Sequence, residues 1–220
     1  MALLSVLHWQ QEPSIPRTHF QMMPLPRNPA PPTQRIPPTS QTNSRKTMRH
    51  VPHPVVIITA AQYNYDLQRP VALGSAIFSF NTVALRPPTV SLNIKSPSKT
   101  LDAIRADDGR FRVHILRGTA QGAKAASLFS AGNDVGAFEE RARVAPGIIS
   151  HLEEDGMQDG STAGLDPAAA AAMDCVLHKE VEVADPVVLI GHVRSCMSRE
   201  DHMGNALWYS MGRYNVVEDE

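Results

Sequence analysis

Residues 74–100 read GSAIFSFNTVALRPPTVSLNIKSPSKT, and the fold turns on how this stretch is divided. Together with Val71-Ala72-Leu73, the part before the prolines alternates apolar and polar residues well enough for a strand pair or one long bent strand. Gly74 marks a bulge or a point of close approach. Arg86-Pro87-Pro88 is expected to leave the sheet, because neither proline can donate to a ladder. Residues 89–95 then form the next strand. Ser96 is placed to cap a helix, Pro97 suits its first position, and Gly109 can end it. Ser79, Asn81, Thr82, Asn93, Lys95, Ser96, Ser98 and Thr100 are crowded into this short span. A strand end, a helix N-terminus, hydroxyls and a lysine are also what a phosphate needs. The same serines serve equally as ordinary caps.

Outward from that stretch, VPHPVVIITAA (51–61) is a β-branched apolar run that reads as a buried strand, and residues 63–70 read as a hairpin loop. RFRVHIL (110–116) alternates, with Phe111, Val113 and Ile115 on one face. Residues 119–132 have a helical pattern ending at Gly132. Residues 133–165 are polar and Gly-rich, and read as loop with a short helical piece around 138–143. AAMDCVLHKEVEV (171–183) and DPVVLIGHVRSCMS (185–198) form a hairpin-like pair of strands, and the aromatic segment ALWYSMGRYNV (206–216) closes the chain. Five to seven strands with two helices and hairpin connections predict a mainly β protein, an antiparallel β-barrel with peripheral helices. A doubly wound sheet would need helices between its first strands, and there is no room for them.

The first 54 residues differ from the rest. They hold eleven of the eighteen prolines and a single acid, Glu12, so residues 12–46 are expected to be extended and disordered. The organisation expected is a Pro-rich extension over 1–47, one domain over 48–217 and an acidic tail at 218–220. An acid-poor, Arg-bearing N-terminus has the composition of an organellar presequence, but Met1–Gln11, the one segment able to form an amphipathic helix, has no arginine. Mitochondrial and cytoplasmic locations both stay open, with the balance slightly toward the cytoplasm.

With 21 basic and 22 acidic residues, overall charge gives no reason to expect nucleic acid, and no apolar run has the length of about 20 residues that a membrane-spanning helix needs. A soluble protein is expected. Cys175 and Cys196 are expected to be free thiols. His192, Cys196 and His202 offer only three ligands at spacings unlike a zinc knuckle, so no metal site is expected. Nucleophile elbow, P-loop and dinucleotide fingerprints do not occur.

Taken in order, RHVPHPVVIITA (49–60), residues 74–104 and RFRVHIL resemble the flavin reductase-like family with the FMN-binding split-barrel fold. AASLFSAGN (125–133), LIGHV (189–193) and GRY (212–214) are similar to its later elements. The resemblance implies a homodimer binding FMN, or sometimes FAD, with NAD(P)H as hydride donor and in some cases a partner monooxygenase. It implies that Ser79, Phe80, Asn81 and Thr82 contact the flavin ring and ribityl chain, and that Asn93, Lys95, Ser98 and Thr100 hold the phosphate. No side chain need act as acid or base, because the cofactor carries the chemistry. The chain departs from the family pattern where Ala76 and Phe78 replace hydroxyl residues, and also at Ala84, Arg86 and Asp185-Pro186. Two lost donors at about 1 kcal/mol each would weaken flavin binding some tens-fold. A split-barrel module without catalysis, or a tailoring oxidoreductase acting on another small molecule, are the alternative readings.

Overall fold

A computed structural model describes residues 38–65, 68–133, 135–150, 165–199 and 205–216. Seven strands form one antiparallel sheet: β2 (Val56–Asn64), β3 (Arg69–Ile77), β4 (Asn81–Leu85), β5 (Pro88–Lys95), β6 (Arg110–Leu116), β7 (Ala169–Glu182) and β8 (Pro186–Ser198). Their spatial order is β3-β2-β6-β7-β8-β5-β4. The strands on either side of Phe78-Ser79-Phe80 therefore lie at opposite edges of the sheet. Laid flat, seven strands about 4.8 Å apart would put those edges nearly 30 Å from each other, yet three residues bridge only about half of that. The sheet must roll until its edges meet at this corner. Ser79 fastens the corner: its Oγ accepts from the Asn93 backbone N–H at 2.8 Å. The expected pairing of the runs flanking Phe78 thus resolves as two strands that do not pair with one another.

Burial accounts for the sequence patterns. Val56, Ile58 and Ala60 point into the barrel with Val90, Leu92, Ile94, Phe111 and Val113. Val55 and Ile57 face outward against α3 (Ala120–Ser130), α4 (Val135–Val144) and α5 (Pro146–Ser150). Covered on both faces, this segment is apolar without alternation. β5 is covered on one face and alternates from Leu92 to Lys95. A smaller sheet, β1 (His53–Pro54), β9 (Trp208–Ser210) and β10 (Arg213–Asn215), is built from the end of the VPHP segment and the aromatic C-terminal segment.

Several expectations are corrected. Pro88 is the first residue of β5, paired with Leu85 across a tight turn, where no ladder donor is required of it. The helix after β5 is α2 (Lys99–Ala106), one turn shorter than read, and its cap is Ser98, whose Oγ accepts from Leu101 N; Ser96-Pro97 is a cis peptide before the helix. The region after Gly132 is more helical than its polarity suggested, because α4 and α5 bury Ala145, Ile148 and Ile149 against α3. Residues 38–46, the end of the stretch expected to be extended, belong instead to helix α1 (Pro38–Met48). The remainder of the N-terminal extension, His202 and the acidic tail lie outside the described residues. Among the described residues no helix is long and apolar enough to cross a membrane, and no group of three or more metal-ligating side chains forms.

Both cysteines are free, Cys175 in the barrel core and Cys196 exposed. Burial, reinforced by the Asp174 carboxylate, pushes the Cys175 thiol up to about 12. A folded value above the unfolded one stabilises the fold at neutral pH, and that stabilisation is lost as pH rises from about 9 toward 12. At pH 8 a thiol reagent is expected to modify Cys196 alone, and alkaline titration should lower the unfolding midpoint above about pH 9. Modification of both thiols in the folded protein would contradict this placement.

Candidate functional site

The corner where the barrel closes opens onto a cleft of about 640 Å³, a size common for small-molecule sites. Its lining is of two kinds. Ala76, Ile77, Phe78 and Phe129 are apolar, whereas Lys95, Ser98 and Lys99 come from the end of β5 and the start of α2, with Asn133 hydrogen-bonded to both Lys99 and Gly74. No acidic residue stands among the described residues that line it. Ser98 accepts from Leu101 N, which leaves its own proton free to donate into the cleft. The helix N-terminus and two lysines add positive potential to the cleft.

A buried polar network supports the floor. Thr100 Oγ1 lies 3.0 Å from Ser75 Oγ and accepts from Asn133 Nδ2 at 3.0 Å. Asn133 Oδ1 in turn accepts from Gly74 N at 3.2 Å and from Arg141 Nη1 at 2.8 Å. Arg141 Nη2 also donates to the carbonyls of Leu128 and Gly132, so this guanidinium caps the C-terminal end of α3. It sits 4.6 Å from the centroid of the Phe129 ring. Gly74 is what admits Phe129: a Cβ there would fall 2.5 Å from Phe129 Cε1. Phe78 packs with Tyr209 and Tyr214 of the small sheet, at centroid distances of 5.1 and 6.3 Å.

Of the residues singled out from sequence, Ser79, Asn93, Lys95 and Ser98 line the cleft. The other four stand elsewhere. Phe80 packs against the barrel core, Asn81 and Thr82 are exposed on the edge strand β4, and Thr100 is fully buried in the floor network. Ser75, Lys99, Ser130, Asn133 and His53 were not expected there. Ser75 and Lys99 fall within the stretch quoted above; Asn133 and Ser130 arrive from the end of α3, which nothing local to residues 74–100 could reveal. Replacing Ser98 by alanine is expected to cost about 1 kcal/mol of stability by uncapping α2, with glycine costing only a few tenths. Urea denaturation of both variants checks this.

A family model, the flavin reductase-like domain, matches residues 48–218. The chain belongs to the flavin reductase-like family. Solved structures of similar fold include an NADH:FAD oxidoreductase from Streptomyces globisporus, 21% identical with a TM-score of 0.61 over 86% of this chain and 100% of that one. A homologue of nitrilotriacetate monooxygenase component B from Mycobacterium thermoresistibile is 22% identical, TM-score 0.60, over 82% of this chain and 88% of its own. The styrene monooxygenase flavin reductase of Pseudomonas putida is 20% identical, TM-score 0.56, over 80% and 97% respectively. A search of curated protein sequences finds no match. In this flavin reductase-like chain the positions where family hydroxyls are replaced, Ala76 and Phe78, both belong to the apolar lining of the cleft.

Proposed function

We propose that this member of the flavin reductase-like family is an NAD(P)H-dependent flavin oxidoreductase that holds FMN, or alternatively FAD, in the cleft at the barrel corner. The observation that carries the reading is the mixed lining of the cleft: apolar Ala76, Ile77, Phe78 and Phe129 together with two lysines and a capped helix N-terminus. An isoalloxazine ring and a ribityl phosphate need the same mixture. When bound, flavin supplies hydride acceptance from a nicotinamide and onward transfer of electrons.

The chain's own residues do the rest. Lys95, Lys99 and the Ser98 hydroxyl hold the phosphate, while Ala76, Phe78 and Phe129 exclude water from one face of the ring. Ser79 and Asn93 fix the corner and the position of its apolar lining. Thr100 acts from the floor network, by orienting Ser75 and Asn133. Asn81 and Thr82 contribute to ligand contacts only if a second copy of the chain folds over β4. Exposed Val83 and Leu85 on that edge support a homodimer, since an edge strand with apolar side chains is a pairing surface. The monooxygenase-linked reductases among the similar structures support a partner monooxygenase that consumes reduced flavin.

The test is an absorbance and fluorescence titration with FMN, followed by NADH or NADPH. Quenching at micromolar flavin and NAD(P)H oxidation are expected, with Lys95→Ala/Lys99→Ala weakening FMN by about tenfold or more and riboflavin little. A protein that stays colourless and turns over no NAD(P)H would remove the reading. Binding of flavin without turnover would favour the second reading, a non-catalytic module, for which Ala76 and Phe78 in the apolar lining are the specific observation.

A further inference from the structure

The floor network of the cleft has a direction, which can be followed proton by proton. Asn133 Oδ1 takes hydrogen bonds from Arg141 Nη1 at 2.8 Å and from Gly74 N at 3.2 Å. Both partners can only donate, so the amide has one orientation, and its Nδ2 must donate to Thr100 Oγ1, 3.0 Å away. Thr100 is fully buried, and its hydroxyl has two partners among the described residues, Asn133 Nδ2 and Ser75 Oγ at 3.0 Å. It accepts from the first. Its own proton then goes to Ser75, because the reverse arrangement would leave that proton buried without an acceptor.

Arg141, Asn133, Thr100 and Ser75 thus form a chain in which each member donates to the next. It ends on a half-buried serine that lines the cleft and whose own proton has no acceptor among the described residues. With a guanidinium at the buried end, each bond polarises the one after it, so the last hydroxyl is a better donor than an isolated serine. A row of protons all directed at the cleft suits an anion there. The place of that anion follows from the sequence order: Thr100, on which Ser75 rests, is next to Lys99 and two residues after Ser98 in the first turn of α2.

We infer that Ser75 donates to the flavin phosphate alongside Lys95, Ser98 and Lys99, and that Arg141, through Asn133 and Thr100, turns its proton into the cleft. The inference rests on the flavin reading of that cleft. Ser75 is the phosphate contact, and Thr100, expected from the family resemblance to hold the phosphate itself, is a positioning residue that acts through Ser75.

The experiment titrates FMN and riboflavin into the full chain and into Ser75→Ala, Thr100→Val, Thr100→Ser and Ser75→Ala/Thr100→Val variants. Ser75→Ala is expected to weaken FMN about tenfold and riboflavin by less than about twofold, since only FMN carries the phosphate. Thr100→Val should weaken FMN severalfold, because the serine hydroxyl is no longer held in one direction, and Thr100→Ser should restore it. The double variant should bind FMN no more weakly than Ser75→Ala alone, because one residue acts through the other. A Thr100→Val loss that adds in full to the Ser75→Ala loss would overturn the relay. Ser75→Ala binding FMN as the full chain does, or weakening FMN and riboflavin equally, would overturn the phosphate contact while leaving the flavin reading intact. Failure of the full chain to bind either flavin would remove the flavin reading, and this inference with it.

Discussion

Replacing Arg141 by methionine is expected to lower the unfolding free energy by about 3–5 kcal/mol, a large effect for a residue on a short surface helix. The guanidinium is almost wholly buried and donates to the carbonyls of Leu128 and Gly132 and to Asn133 Oδ1. Two of those acceptors lie at the C-terminal end of α3, where the helix dipole concentrates negative charge. Methionine matches the length of the stem and takes the charged donor from the half-buried Leu128 carbonyl, the Gly132 carbonyl and Asn133 Oδ1, at about 1–3 kcal/mol for a hydrogen bond to a charged group. Lysine keeps the charge but not the planar fork, and should recover less than half of the loss. The readout is the urea midpoint at unchanged slope. Because Asn133 and Phe129 both rest on this side chain, FMN affinity should fall as well. A midpoint shift worth under about 1 kcal/mol would show that Arg141 is not the keystone of the floor.

Asp174→Ala carries the second large effect, in a place remote from the cleft chemistry. Arg112, Asp174 and Ser195 stand opposite one another in the registers of β6, β7 and β8. Arg112 Nη2 donates to Asp174 Oδ2 at 3.1 Å and Ser195 Oγ donates to the same oxygen at 2.6 Å. The Arg112 and Asp174 side chains are only 11% and 5% exposed, so truncating the carboxylate leaves a desolvated cation. The expected loss is about 3–5 kcal/mol. The double variant Arg112→Met/Asp174→Leu should regain most of it, because the pair's attraction is largely offset by what both charges lost on leaving water. Arg112 alternates with Phe111 and Val113, which face the barrel interior, so the pair sits on the opposite face of the sheet. Flavin affinity of the folded variant should therefore be unchanged. A double variant as unstable as the single one would show the pair to be a net stabiliser.

How much of this was legible beforehand depends on the range of the interaction that decides it. The β-branched run at 55–60, the alternation of β5 and β6 and the β7–β8 hairpin were readable because burial on one or two faces imprints a period on consecutive residues. The helix after β5 was readable too, but its start slipped from Ser96 to Ser98, because several capping residues in a row leave the choice to the packing of Thr100 and Leu101. α4 was legible only as a short piece around 138–143, and α5 was missed for a related reason: the segment becomes helical by burying Ile148 and Ile149 in the cluster that includes α3.

The candidate site divides along the same line. The sequence of residues 74–100 by itself determined that a strand end, a capped helix and a lysine-serine cluster would lie together, since those neighbours are at most a few residues apart. It also carried the ordered resemblance to the flavin reductase-like family. Only the tertiary structure decided that Phe78-Ser79-Phe80 joins opposite edges of one sheet, and so that the cleft forms at this corner. Only it decided that Thr100 is buried in the floor network while Ser75, Phe129 and Asn133 line the cleft. Closing a rolled sheet brings together residues some tens of positions apart, and no local pattern encodes which of them meet.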